Sequence, residues 1–134
     1  MPSDRFSLLL VEPYFVLRST VTSVARGLDI GDIHAAPSHE AAAQMLMAYR
    51  FDAFVISVGE DGGGLKLINT LRGGTTRSRA DAAVVVTADF CDERTVVAFK
   101  QLQVRRVLLK PFKVKDVVET ITALAQRERQ AVPG

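Results

Sequence analysis

The chain has 134 residues, 48% hydrophobic and 24% charged, which suits one folded domain and excludes a disordered chain. Seventeen Lys and Arg against fifteen Asp and Glu leave a net charge of +2, too small to point to nucleic acid. The single cysteine, Cys91, excludes an internal disulfide and a cysteine-rich zinc site and suits a reducing cytoplasm. No apolar run reaches the roughly 18 residues that span a membrane, and the polar start, Met1 to Phe6, does not read as a signal peptide.

Five short apolar runs alternate with stretches of helical period. The first, Phe6–Val11, is continuous, as a strand buried on both faces is. Glu12-Pro13 ends it, with Pro13 suited to the first turn of a helix. Tyr14, Leu17, Val21, Val24 and Leu28 then recur every three or four residues, and Gly27 and Gly31 bracket the helix end. A weak run covers residues 32–36. Ser38 is a suitable N-cap for a second helix whose inner face is Ala42, Met45, Leu46 and Tyr49.

The third run is 53–58, followed by the loop Gly59 to Gly64 and a short helix with Leu65, Ile68 and Leu71 inward. The fourth is 82–87. Asp89 or Asp92 can cap the helix holding Val96, Val97, Phe99 and Leu102. The fifth is 104–109, and the last helix carries Val114, Val117, Val118, Ile121, Leu124 and Ala125. The core is expected over about 6–125, within one domain of residues 1–134, with a polar tail that frays from Arg127.

Five strands alternating with five helices predict an α/β fold, a single (βα)5 unit with a doubly wound parallel sheet. The order 2-1-3-4-5 is a common solution and puts a site at the carboxyl ends of strands one and three. The residues to read for function are therefore Glu12, Pro13, Ser57, Thr87 and Lys110.

These residues, with Val86-Thr87-Ala88 and Leu109-Lys110-Pro111-Phe112 in order and at the right spacing, resemble a response-regulator receiver domain from about Phe6 to Leu124. The resemblance implies a flavodoxin-like, CheY-like fold and a bacterial, cytoplasmic module of a two-component phosphorelay or chemotaxis-type system. Receivers take a phosphoryl group from a histidine kinase onto an aspartate ending strand three, beside a Mg²⁺ ion held by that aspartate and by acids after strand one. A Thr or Ser and a Lys contact the phosphoryl oxygens. The resemblance also implies a cis Lys110–Pro111 bond, and a signalling face on helix four, strand five and helix five, where Arg105 and Arg106 offer forked donors. That face would meet a kinase, an output protein or a second copy.

The chain departs from this pattern. The phosphoacceptor position is Ser57, only Glu12 of the acidic pair is acidic because Pro13 takes the other place, and the switch-aromatic position falls at Val107. A serine hydroxyl has no matched base here, and Mg²⁺ wants near-octahedral oxygen ligands with carboxylates among them. Thr87 and Lys110 match. The expectation is therefore a pseudo-receiver, not an enzyme, with the Mg²⁺ site lost, no cofactor, and Lys110 paired with Glu12. Thr87 reads equally as a switch residue or a strand-end hydroxyl.

Other features are bland on this reading. Gly59 to Gly64 matches neither a P-loop nor a dinucleotide fingerprint, although Glu60 or Asp61 could swing in to rebuild an acidic site. His34 and His39 lack zinc-motif partners, and Cys91 reads as a quiet thiol. Arginine is abundant, twelve against five lysines, with Arg72, Arg77 and Arg79 before strand four. An alternative function follows from these patches: a sensor binding an anionic nucleotide such as a cyclic dinucleotide.

Overall fold

Continuous apolar runs form the three inner strands because helices cover both of their faces, whereas the two edge strands carry polar and exposed positions. The computed structural model describes residues 5–131. In chain order these are β1 (Ser7–Val11), α1 (Phe15–Gly27), β2 (Asp32–Ala36), α2 (His39–Ala48) and β3 (Ala53–Ser57). Then come α3 (Gly63–Arg72), β4 (Ala83–Ala88), α4 (Glu93–Gln101), β5 (Arg106–Leu109) and α5 (Val114–Ala131). The strands form one parallel sheet in the order β2-β1-β3-β4-β5, the expected topology.

Strand alternation divides the core in two. Leu8, Leu10, Ala53, Val55, Val85 and Leu108 face α1 and α5, meeting Val21, Ala25, Val117 and Ile121. Leu9, Val11, Phe54, Ile56, Val84 and Val86 face the other side, meeting Leu46, Ile68, Leu71 and Phe99. Each such side chain, fully buried, contributes about 1.5–3 kcal/mol.

Helix ends follow local chemistry. The Ser38 hydroxyl accepts from the Ala41 N–H at 3.0 Å and starts α2. Asp92, rather than Asp89, caps α4, and a reciprocal bond from its own N–H to Thr95 completes a capping box. Pro13 is not in the first turn of α1, which begins two residues later with Tyr14 as its N-cap. Tyr14 has no side-chain cap; the Glu12 carboxylate takes its N–H instead. Gly27 and Gly31 do not supply a left-handed helix end either, since the positive φ falls on Asp29. Gly31 is required because a Cβ there would strike the Phe6 carbonyl oxygen.

Several side chains read as inner-face are outside. Val24 on α1 and the two caps of that helix, Tyr14 and Leu28, are exposed, and the helix buries Val21, Thr22 and Ala25. Tyr49 lies beyond α2 with extended backbone and is exposed. Val96 and Val97 are exposed, and α4 buries Phe99 alone. The tail does not fray from Arg127, because α5 continues to Ala131; residues 132–134 lie outside those described.

The arginine cluster before β4 is structural in part. Arg72 Nε donates to the Leu102 carbonyl at 2.8 Å, Nη1 to those of Ala80 and Ala82 at 2.8 and 2.7 Å, and Nη2 to that of Gln103 at 3.3 Å. One fork thus ties the end of α3 to the loops before β4 and β5. Arg77 Nε donates to the Met47 carbonyl after its own N–H meets that of Leu46. Lysine cannot reproduce a planar fork with several donors. Arg72→Lys is therefore expected to cost about 2 kcal/mol or more in urea unfolding. A loss below about 0.5 kcal/mol would show that these bonds add no net stability.

Candidate functional site

The carboxyl ends of the strands place four polar side chains on the α1/α5 side of the sheet. Leu8 and Leu10 face that side, so Glu12 does too; Ala53 and Val55 lead likewise to Ser57, and Val85 to Thr87. Register brings them into one row. Val11 pairs with Ile56, and Ser57 pairs with Thr87. The Glu12 N–H bonds the Ala36 carbonyl at 3.1 Å, and the Val58 N–H bonds that of Thr87 at 2.9 Å. Beyond β5, the Lys110 N–H bonds the Ala88 carbonyl at 2.8 Å, and the Lys110–Pro111 peptide is cis, as expected from the resemblance.

Glu12, after β1, is the one acid of this row. Its side chain is 2% exposed, and Oε1 lies 3.0 Å from Lys110 Nζ, itself 16% exposed. Oε2 accepts the Tyr14 N–H at 3.0 Å. The ammonium also lies 5.1 Å from the centre of the Tyr14 ring, within cation–π range. Both carboxylate oxygens are thus engaged by the protein, and the lysine is paired as the sequence led one to expect.

Ser57 and Thr87 are buried, on the two strands that lie between β1 and β5 in the sheet. Pro13 is exposed, with its carbonyl taking a bond from Arg18 at 3.2 Å. Val107 lies on the opposite side of the sheet, half-buried against the α2, α3 and α4 core. The structure therefore gathers Glu12, Ser57, Thr87 and Lys110 and leaves Pro13 and Val107 outside the row.

This donor set does not fit Mg²⁺. One carboxylate is present, already held by an ammonium and a backbone N–H, and a hydroxyl stands at the strand-three position. Among the described residues no group of three or more His, Cys, Asp or Glu gathers to hold a metal. Asp61 does not turn in. Its Oδ1 accepts the Gly63 N–H at 3.0 Å, and that bond, first among its causes, holds the carboxyl below its ordinary pKa.

His39 is the residue that sequence reasoning missed. From the first position of α2 its Nε2 lies 2.6 Å from the Ser57 carbonyl oxygen. Its ring closes over the glycine loop: Gly59 has φ +78°, and a Cβ there would come 2.7 Å from His39 Cε1. The glycine spacing was the available signal, since such a loop lets a neighbouring ring approach the backbone.

Arg105 and Arg106 do not form a paired fork. Arg106 Nη1 donates to Thr120 Oγ1 on α5 at 3.0 Å, whereas Arg105 precedes β5 and lines a cleft at the other end of the sheet. Strand alternation sends neighbouring side chains apart.

No protein-family model and no curated protein sequence matches the chain. Solved structures do. A response regulator receiver protein from Pseudomonas putida is 24% identical, over 91% of this chain and 99% of its own, with a TM-score of 0.75. The receiver domain of a Francisella response regulator is 16% identical, over 90% and 97%, with a TM-score of 0.76. The N-terminal domain of an uncharacterized Wolinella succinogenes protein is 18% identical, over 95% and 99%, with a TM-score of 0.77. With its strand order and helix placement, this likeness establishes that the chain has the CheY-like receiver-domain fold.

Proposed function

We propose that this chain is a receiver-like signalling module, a pseudo-receiver that acts by protein contact without taking a phosphoryl group. The observation that carries the reading is the Glu12–Lys110 pair at 3.0 Å, beside a serine where receivers place their acceptor aspartate. An acyl phosphate needs a carboxylate nucleophile, which Ser57 lacks, and neither Glu12 nor Lys110 has charge to spare for a metal or an incoming anion. The module is non-enzymatic, bacterial and cytoplasmic on this reading, with a kinase, an output protein or a second copy as partner. Among the described residues no helix is long and apolar enough to cross a membrane. The elements α4 and β5 leave Val97 and Leu109 exposed, which suits a contact face there.

The nucleotide-sensor reading loses most of its first basis. Arg72 and Arg77 are bound to backbone carbonyls, and Arg106 to Thr120.

The test is intact mass after incubation with acetyl phosphate and Mg²⁺. The natural chain is expected to gain no phosphoryl group and no thermal stability from the metal. Ser57→Asp alone is expected to remain nearly inert, with a second acid still missing. Ser57→Asp with Pro13→Asp puts one new carboxylate in the row and one in the turn that follows Glu12; it is expected to lose stability without metal, regain it in millimolar Mg²⁺ and gain one phosphoryl group, because clustered carboxylates repel until a cation joins them. A metal-blind double variant would show that position 13, outside the row, does not reach it. Phosphorylation of the natural chain would overturn the reading.

The ion pair has its own signature. Lys110→Met strands a buried carboxylate and is expected to cost about 2–4 kcal/mol in chemical unfolding. Adding Glu12→Gln removes that charge while keeping an acceptor for the Tyr14 N–H, so the double variant is expected to be more stable than Lys110→Met. A coupling below about 0.5 kcal/mol in the cycle would mean that the pair contributes nothing specific.

A further inference from the structure

At the end of the sheet opposite Glu12 and Lys110, where β3 and β4 begin, lies a cleft of about 260 Å³. Its walls include four arginines, Arg50, Arg79, Arg105 and Arg127. They come from four segments of the chain, so composition alone gives no hint that they meet.

Three carboxylates share the cleft, and two are already committed. Asp52 accepts the Ser7 N–H at 2.9 Å and lies 3.5 Å from Arg50. Asp81 holds both arms of Arg79, at 3.0 and 3.1 Å. Glu128 remains, at the edge of α5. The guanidinium groups of Arg105 and Arg127 have no hydrogen bond or ion pair among the described residues, while the Arg105 backbone N–H is engaged by the Val84 carbonyl at 2.8 Å. Two unpaired forks against one carboxylate leave the cleft positive. Behind it, burial holds the guanidinium of half-buried Arg72 below its ordinary pKa, with the charge of Asp81 opposing that effect and the charge of Arg105 adding to it.

We propose that this cleft binds a small phosphoryl anion, of the size of pyrophosphate or a phosphomonoester, through Arg105 and Arg127 with Arg50 and Arg79 at the rim. Planar guanidinium groups meet phosphoryl oxygens two bonds at a time, and two free forks facing one cavity supply more donors than a water-bridged surface does. Size selects the ligand. Drug-sized ligands occupy roughly 300–1,000 Å³, so this cleft is small even for those and too small for a dinucleotide. Phe51, the aromatic in the lining, is buried in the core and offers no free ring face to a base. The anion is recognised, and a nucleobase is not. The site is independent of the reading given to Glu12, Ser57 and Lys110, so each stands or falls alone.

The experiment titrates the full ¹⁵N-labelled chain with sodium pyrophosphate, without divalent metal and at constant ionic strength. Saturable shifts are expected at the amides of Ala53, Ala83 and Arg105, with those of Glu12 and Lys110 unmoved. Glycerol phosphate is expected to shift the same amides. Arg105→Gln and Arg127→Gln remove exposed groups with no structural bond, so each is expected to weaken binding about tenfold while leaving the melting temperature unchanged. Citrate, whose carboxylates are planar and lie on separate carbons rather than around one tetrahedral phosphorus, is expected to bind more weakly. Equal binding of citrate would overturn the phosphoryl assignment. Shifts that do not saturate, that fall at Glu12 and Lys110, or that persist unchanged in both variants would overturn the site.

Discussion

A buried carboxylate closes the carboxyl end of this sheet. Glu12 leaves β1, takes the first N–H of the turn into α1 and meets the ammonium that follows β5. Two segments distant in sequence, the turn from β1 into α1 and the residue after β5, are thus joined by one group. Moving a carboxylate out of water costs several kcal/mol, and a single partner seldom repays it. Here an ammonium, a backbone N–H and a ring face share the work, because Tyr14 serves both charges: its N–H bonds Glu12 and its ring lies beside Lys110. Tyr14 is exposed as a side chain for the same reason, lying over the pair rather than in the core.

The arginine content has a related logic. Helix ends and loops leave carbonyl oxygens without partners, and a guanidinium fork can satisfy several at once. Arg18 bonds the Glu12 and Pro13 carbonyls, Arg26 that of Ile33 on the edge strand, Arg72 four carbonyls in two loops, and Arg77 that of Met47. A lysine in any of these places would give a compact charge without the fork. An arginine-rich chain of nearly neutral net charge is therefore what a small parallel fold with many loop carbonyls can use. Only those arginines left over from this task can face a ligand, which is why Arg105 and Arg127 differ from Arg72 and Arg106.

The sheet was legible because β1, β3 and β4 are continuous apolar runs between turn residues, and burial on both faces leaves no other place for Leu8 to Val11 or Phe54 to Ile56. Glu12, Ser57, Thr87 and Lys110 were legible for the same reason, since strand ends follow from strand positions. The helix faces were harder. On α1 the apolar series 14, 17, 21, 24, 28 shares only Val21 with the buried set of Val21, Thr22 and Ala25, because the core takes small side chains where α1 meets β1 and α5. On α4 the capping box at Asp92 and Thr95 fixes the start of the helix, and Val96 and Val97 then face outward. The arginine bonds were not legible at all: Arg72 reaches Leu102 across thirty residues, a pairing that no local pattern encodes. Neither was His39, whose role needs β3 and α2 placed side by side.

On the proposed reading as a signalling module, pairing at the strand ends bears on how it would act. A phosphoryl group acts as a switch by bringing charge to a site poised to reorganise around it. Here the acid and the base already satisfy each other, so an arriving anion would have to displace Glu12 from Lys110 and strand a buried carboxylate, a cost that opposes binding. The readout side lacks a moving part as well. Val107 sits half-buried against the α2, α3 and α4 core, and a β-branched side chain has little χ1 freedom in which to record a change at Thr87. A partner that contacts the exposed parts of α4 and β5 meets no such obstacle, because Val97 and Leu109 are outside the paired row. On that reading the module acts by contact at the surface, with the strand ends held as a fixed joint by the Glu12–Lys110 pair.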